Sequence, residues 1–204
     1  TPSVAVDNPA PTAAVDIADD GNNQDMISST DDLTATRLSG TIEPDGTITG
    51  LTVSDGTNSI VIPADTVTVA DDGTWSTTVD VSSLADGTLT VTLDSEDALG
   101  NQALTATDTI AKDTVTAVAI DDIADTNDAT PAVSGRGEPG STIVLTDSNG
   151  NTVGSATVRG DGSWTAELDS LPEGNNTITA TATDPYGNSA AAVSPPFIVD
   201  KTAE

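Results

Sequence analysis

Residues 89–93 read Leu89-Thr90-Val91-Thr92-Leu93, with apolar and polar side chains in strict alternation. A period of two puts alternate side chains on opposite faces of a β-strand. Residues 177–181 alternate in the same way, and the abundant threonine suits a pleated, half-solvated surface. The chain shows no convincing helical period, so the pattern predicts an all-β fold.

Turn signals separate the predicted strands at short intervals. Asp-Gly and Asn-Gly pairs favour tight turns because these residues tolerate unusual backbone angles. Such pairs occur at 45–46, 55–56, 72–73, 86–87, 149–150 and 161–162. About seven short strands per repeat at this spacing predict immunoglobulin-like β-sandwiches with Greek-key topology.

One pattern of short motifs occurs twice along the chain, which indicates two tandem modules. The Trp-containing motif at 72–76 recurs at 161–165, and a junction motif occurs three times, as Val6-Asp7-Asn8, Lys112-Asp113-Thr114 and Val199-Asp200-Lys201. Because the chain begins in the middle of this pattern, we expect a fragment of a longer array. The predicted organisation is a linker at 1–12, a first module at 13–112, an inter-module linker at 113–115, a second module at 116–199 and the start of another linker at 200–204.

The charge of the chain narrows its possible partners. It carries 33 acidic and five basic residues, a formal net charge of -28, and 27 of the acids are aspartate. Phosphate binding needs a basic patch, so we expect no nucleic-acid partner, and an anionic membrane surface would repel the chain. The absence of His and Cys removes the commonest general base and the soft-metal ligands. We therefore predict no enzyme activity. Aspartate, with its short side chain, is a typical ligand of hard cations, so a metal-binding role stays open.

The topology of a sandwich predicts where these aspartates meet. The loops at the exit end of the first module would be 19–34, 54–57 and 81–87, and the loops at the entry end of the second would be 138–141, 159–162 and 184–188. Crowded carboxylates repel one another unless a cation with six to eight oxygen ligands lies between them. We therefore predict a calcium site at the junction, contributed by Asp113 with Asp19, Asp20 and Asp86 on one side and Glu138, Asp161, Asp184 and Asn188 on the other.

The same reasoning predicts an incomplete, weaker site at each end of the chain. Asp7 would meet Asp94, Glu96 and Asp97 at the first entry end, and Asp200 would meet Asp125, Asp128 and Glu173 at the last exit end.

Turn formation is the competing explanation for each aspartate. It is favoured for Asp72, Asp86 and Asp161, which precede glycine, and ligation is favoured for Asp113 and Asp200, which do not. For Asp19 and Asp184 both explanations stay open. The two tryptophans, Trp75 and Trp164, are predicted to fill a thin core rather than to form a sugar-binding platform.

Several motifs, taken in order, resemble the bacterial immunoglobulin-like repeats that form the extender region of large repeats-in-toxin adhesins. They are residues 122–125, 134–135, 138–141, 161–164, 187–188 and 199–202 of the second module, with a looser match in the first. The resemblance implies calcium-stiffened spacer modules of an extracellular, bacterial cell-surface protein, monomeric and contacting neighbouring modules of its own chain.

Two other functions remain open from the sequence. The chain could be an adhesin module that itself binds a carbohydrate or protein ligand, with Tyr186 in the loop 184–188 as the candidate residue. Alternatively, the acidity could be an adaptation to salt without a specific ion site, in which case sodium chloride would stabilise the chain as well as calcium does.

Overall fold

The computed structural model describes residues 10–18 and 26–202, which form two compact units divided between Asp113 and Thr114. Within the described residues, the regular structure is β-strand apart from one short 3-10 helix at Ala64–Thr66. The all-β prediction is confirmed. No helix in this part of the chain has the length and apolar composition needed to cross a membrane.

The first module is built from two facing sheets. Its strands are β1 (Ala14–Ala18), β2 (Met26–Ser28), β3 (Thr36–Thr41), β4 (Thr47–Ser54), β5 (Ser59–Val61), β6 (Thr68–Val69), β7 (Thr74–Val79), β8 (Gly87–Glu96) and β9 (Ala106–Asp113). One sheet has the order β1-β3-β7-β6 and the other β2-β9-β8-β4-β5. All pairs are antiparallel except β2 with β9, so the first segment of the chain crosses from one sheet to the other.

The alternation at 89–93 explains which side chains of the central strand β8 face the core. Leu89, Val91 and Leu93 are fully buried between the sheets, whereas the intervening threonines lie on the outer face. Each buried leucine stabilises the module by roughly 1.5–3 kcal/mol relative to an exposed one.

The second module repeats this plan. Its strands are β10 (Val118–Ile120), β11 (Ala132–Gly137), β12 (Thr142–Thr146), β13 (Thr152–Thr157), β14 (Ser163–Glu167), β15 (Gly174–Asn176), β16 (Thr179–Thr183), β17 (Ser189–Val193) and β18 (Phe197–Val199). The sheets have the orders β10-β11-β14, β13-β12-β16-β17 and β15-β18. A parallel bridge from Thr126 to Val199 corresponds to the parallel pair in the first module.

The predicted strand at 177–181 is interrupted between β15 and β16. Ile178 is fully buried at the break. Its N–H donates to Oγ of Ser194 at 3.0 Å, and the N–H of Ser194 donates to the carbonyl of Ile178 at 2.9 Å. The alternation persists across the irregularity because these bonds keep Ile178 on the core side.

The repeated Ser-Gly pair has a packing role in both modules. Gly40 lies opposite Trp75 in the sheet, and Gly135 lies opposite Trp164. A Cβ atom at Gly135 would stand 2.1 Å from the carbonyl oxygen of Ala119 and 2.5 Å from Cζ2 of Trp164. Only glycine at position 135 therefore lets the indole of Trp164 and strand β10 approach strand β11 this closely.

Candidate metal centre

The three predicted entry loops of the second module lie together at one end of that module. The N–H of Gly140 donates to the carbonyl of Val158 at 3.0 Å, which joins the loop 138–141 to the chain entering 159–162. A Cβ at Gly140 would contact Cγ of Pro185 at 3.8 Å, which places the loop 184–188 beside them. Strands far apart in sequence thus bring their turns to one place.

Two carboxylates of this end share a small volume. Oxygen atoms of Glu138 and Asp184 lie within 4.8 Å of each other. Asp184 is buried and Glu138 is partly buried. Among the described residues, neither carboxylate forms an ion pair. Two anions at this distance without a compensating cation form an arrangement that a hard metal ion would stabilise.

Asp184 is held in place by the turn that contains it. Its Oδ1 accepts hydrogen bonds from the N–H groups of Tyr186 at 2.8 Å and Asn188 at 2.9 Å, and its Oδ2 accepts from Nδ2 of Asn188 at 2.7 Å. Gly187 supplies the required left-handed backbone, with φ of +92°. A carboxylate has about four acceptor sites, so these three bonds orient Asp184 and leave capacity for a metal ion.

The same turn occurs twice more, at 97–101 and 147–151. In each, the aspartate Oδ1 accepts from two N–H groups of the turn and its Oδ2 accepts from the amide of the closing asparagine. These hydrogen bonds, led by the side-chain amides of Asn101 and Asn151, lower the pKa of Asp97 and Asp147. The pattern Asp-x-x-Gly-Asn is visible in the sequence, and it shows that Asp97, a predicted ligand, has a turn-forming role.

A shorter turn, Asp-x-Ser/Thr, holds several other aspartates. Oδ1 of Asp72 accepts from the N–H and hydroxyl of Thr74, and Asp161 makes the same pair of bonds to Ser163. Asp200, which the sequence favoured as a ligand, makes them to Thr202 at 3.0 and 2.5 Å. The hydroxyl of Thr202 is the main cause of the lowered pKa of Asp200. The threonine two residues later is the signal that sequence reasoning missed.

The predicted end sites are only partly assembled within the described residues. Asp125 accepts a hydrogen bond from the N–H of Ile198 at 2.7 Å and lines one open cleft with Asp200. Asp94 accepts from the hydroxyl of Thr105 at 2.6 Å. Neither end gathers three carboxylates within metal-binding distance in the part of the chain described. Asp7, Asp19 and Asp20 lie outside the described residues.

Asp113 ends β9, where it is paired with Ser28 of β2, and it is bonded to Thr114, the first residue of the second unit. Asp86, also predicted at the junction, forms an ion pair with Lys112 at 3.1 Å. Asp113 is therefore positioned by strand pairing, and Asp86 by an ion pair within its own module.

The aromatic residues form no flat binding platform. Trp75 and Trp164 are 4% and 0% exposed, so both belong to the cores, as expected. Nε1 of Trp164 donates to the carbonyl of Arg136 at 3.1 Å, whereas Nε1 of Trp75 has no hydrogen-bond partner within the described structure. Tyr186 is partly exposed.

Comparisons with known proteins agree with the sandwich fold. Residues 116–196 match the bacterial Ig domain family, which confirms the predicted bacterial immunoglobulin-like repeat in the second module. None of the curated proteins is significantly similar to the chain.

Solved structures show similarity over most of the chain. A tetra-tandem repeat in the extending region of a large adhesion protein is 31% identical over 94% of this chain and 50% of its own, with a TM-score of 0.39. A structure of a 1.5-MDa bacterial ice-binding adhesin is 22% identical over 95% of this chain and 67% of its own, with a TM-score of 0.43. An I-band fragment of titin is 10% identical over 95% of this chain and 66% of its own, with a TM-score of 0.54. The chain thus spans half the length of the first of these structures, and the titin likeness shows the immunoglobulin-like fold alone.

Proposed function

We propose that this chain, whose second module matches the bacterial Ig domain family, is a pair of spacer modules from a long, extracellular bacterial adhesin, stiffened by calcium. The spacers would hold a distal ligand-binding region away from the cell. The family match and the internal repeat support a tandem array, and the buried tryptophans speak against a sugar-binding platform.

The observation that carries the proposal is the pair Glu138 and Asp184. Two unit charges at the 4.8 Å limit of their oxygen separation repel by roughly 3 kcal/mol at an effective dielectric constant of ~20. Folding of the second module brings these charges together, so a divalent cation bound there would stabilise the folded state.

The donor set fits calcium. Glu138 and Asp184 each offer a carboxylate oxygen, and the loops that carry them also contain carbonyl groups. In this proposal Asp113 would add a third carboxylate. Calcium accepts six to eight oxygens in flexible geometry, whereas magnesium demands a strict octahedron. Asp113 precedes the second unit by one peptide bond, and its counterparts Asp7 and Asp200 recur at the other junctions.

The remaining predicted ligands belong to the junction site or to weaker sites at the two ends of the chain. Asp19, Asp20 and Asn188 would complete the junction site. Weaker sites at the two ends would draw on Asp7, Asp94 and Asp97, and on Asp125 and Asp200. At those ends, Asp97 accepts the same set of three hydrogen bonds as Asp184, and Asp200 accepts two on one oxygen, so each carboxylate keeps an acceptor site for a metal ion.

The protein's own residues position the charges, and calcium supplies the bridge between them. Without calcium, repulsion among the acidic loops keeps the junction flexible. Asp113, Glu138 and Asp184 would hold the ion, and its positive charge would offset their mutual repulsion and so restrict the angle between consecutive modules. Extracellular sites of this kind bind at ~10⁻⁴–10⁻³ M, so they are filled outside the cell and empty within it.

Thermal unfolding tests the proposal. The parent chain is heated in EDTA, in ~5 mM calcium chloride and in sodium chloride of matched ionic strength. At ~5 mM, calcium is in roughly 5- to 50-fold excess over this dissociation constant and adds about 1–2 kcal/mol. This corresponds to a rise in Tm of roughly 4–18 °C for a module of this size.

Matched variants show whether the ion binds where we propose. Asp113→Asn and Glu138→Gln should each remove most of the calcium-dependent rise. Glu167→Gln, which changes an exposed glutamate of the same module in β14, should keep it. Equal stabilisation by sodium chloride would refute a specific site, and an unchanged response of both site variants would place the ion elsewhere.

A further inference from the structure

One buried cation lies in the core of the first module and is not used by the calcium proposal. Lys112 of β9 is 4% exposed, and among the described basic residues it alone is buried. Its ammonium donates to the carbonyl of Leu84 at 2.8 Å and to Oδ1 of Asp86 at 3.1 Å. Both acceptors belong to the loop 84–87, which leads into β8. Lys112 therefore joins the last strand of the module to the loop before its neighbouring strand.

The internal repeat shows that the fold does not require a lysine here. The counterpart of Lys112 is Val199, which is fully buried and lies opposite Gly174, as Lys112 lies opposite Gly87. Valine therefore fills the same place in the second module by packing alone. A buried ion pair is often no more stable than apolar residues of similar size, so the lysine is not explained by core stability.

We infer that Lys112 is a positioning residue whose ammonium serves as a built-in cation for the loop 84–87 and keeps Asp86 out of the calcium site. An ammonium already shares a charge-assisted hydrogen bond with this carboxylate, and its positive charge repels a divalent ion from the same oxygen atoms. The loop is thus held in the same position with or without calcium. The second part of this inference rests on the proposed function, whereas the first does not.

The experiment separates the ion pair from the calcium site. In a Trp164→Phe background, Asp86→Asn, Lys112→Met and the double variant are unfolded thermally in EDTA and in ~5 mM calcium, so that the fluorescence of Trp75 reports the first module alone. Asp86→Asn leaves a buried ammonium without its anion. Because the Asp86 side chain is 28% exposed, the loss is smaller than for a fully buried pair, and Tm should fall by roughly 5–10 °C in both solutions. The double variant should recover much of this loss, because the pair is removed together.

The outcomes are distinct from those for the proposed function. If Asp86→Asn loses the calcium-dependent rise that Asp113→Asn also loses, Asp86 is a metal ligand and the inference is wrong. If Asp86→Asn leaves Tm in EDTA unchanged, the pair does not position the loop. If calcium fails to stabilise the parent, the measurements in EDTA still test the positioning role. If Lys112→Met does not fold, the Tm of Asp86→Asn in EDTA and in calcium is enough to test the inference.

Discussion

Adding one methyl group at Gly135 tests the packing that the repeated Ser-Gly pair makes possible. In Gly135→Ala, the new Cβ would stand 2.1 Å from the carbonyl oxygen of Ala119 and 2.5 Å from Cζ2 of Trp164. Atoms at these distances overlap, so β10 or the indole must move. Moving the indole also strains the hydrogen bond from Nε1 of Trp164 to Arg136.

The cost follows from these two contacts. Overpacking a core costs about 1–3 kcal/mol, and loss of the indole hydrogen bond adds about 1 kcal/mol. The expected destabilisation of the second module is therefore roughly 2–4 kcal/mol, since the two terms act together. For a module of about 90 residues, this lowers Tm by roughly 10–25 °C.

The assay uses the single tryptophan of each module. In a Trp75→Phe background, fluorescence reports unfolding of the second module alone, with Gly135→Ala compared with its parent. Gly160→Ala is the matched control, because a Cβ there meets no atom within 4 Å. That change should leave Tm the same or slightly higher, since alanine restricts the unfolded chain. Equal Tm values for the two alanine variants would refute the packing explanation.

Two further predictions concern the tryptophans and acid. Trp164→Phe should lower the free energy of unfolding by about 1 kcal/mol more than Trp75→Phe, because only Trp164 loses a hydrogen bond. Calorimetry of the two variants measures this difference, and equal losses would contradict the prediction. Hydrogen bonds from Asn101 and Asn151 lower the pKa of Asp97 and Asp147 from the ordinary 3.8. The ionised aspartates therefore stabilise the folded modules fully above pH 3.8, and this stabilisation is lost as pH falls through the lowered pKa. In Asn101→Ala, an NMR titration should show the pKa of Asp97 moving back up while that of Asp147 stays lowered, and an unchanged Asp97 would count against the side-chain amide as the cause.

The strands were largely predictable because their signal is local. Period-two alternation depends only on neighbouring residues, and it placed Leu89, Val91 and Leu93 on the buried face of β8. The interruption at Ile178 was not predictable in this way. It depends on Ser194 of the next strand, whose hydroxyl accepts the N–H that leaves the sheet pattern.

The site was predictable at the level of loops more than of single residues. Sandwich topology brought the loops 138–141 and 184–188 together, and these loops carry Glu138 and Asp184. The turn roles of Asp97 and Asp200 were missed, although the asparagine four residues on and the threonine two residues on are both visible in the sequence. The abundance of aspartate could not separate metal ligands from turn residues, because aspartate uses the same oxygen atoms to form turns and to bind cations.

The sequence by itself determined the all-β class, the repeat and most of the turns, because each depends on residues that are close along the chain. Only the tertiary structure decided which carboxylates meet and which are already bonded. Glu138 and Asp184 approach each other because β11 and β16 end at the same end of one sandwich. Gly135 is required because β10 and Trp164 converge on it from different strands, and Asp86 is paired because β9 carries a buried lysine to its loop.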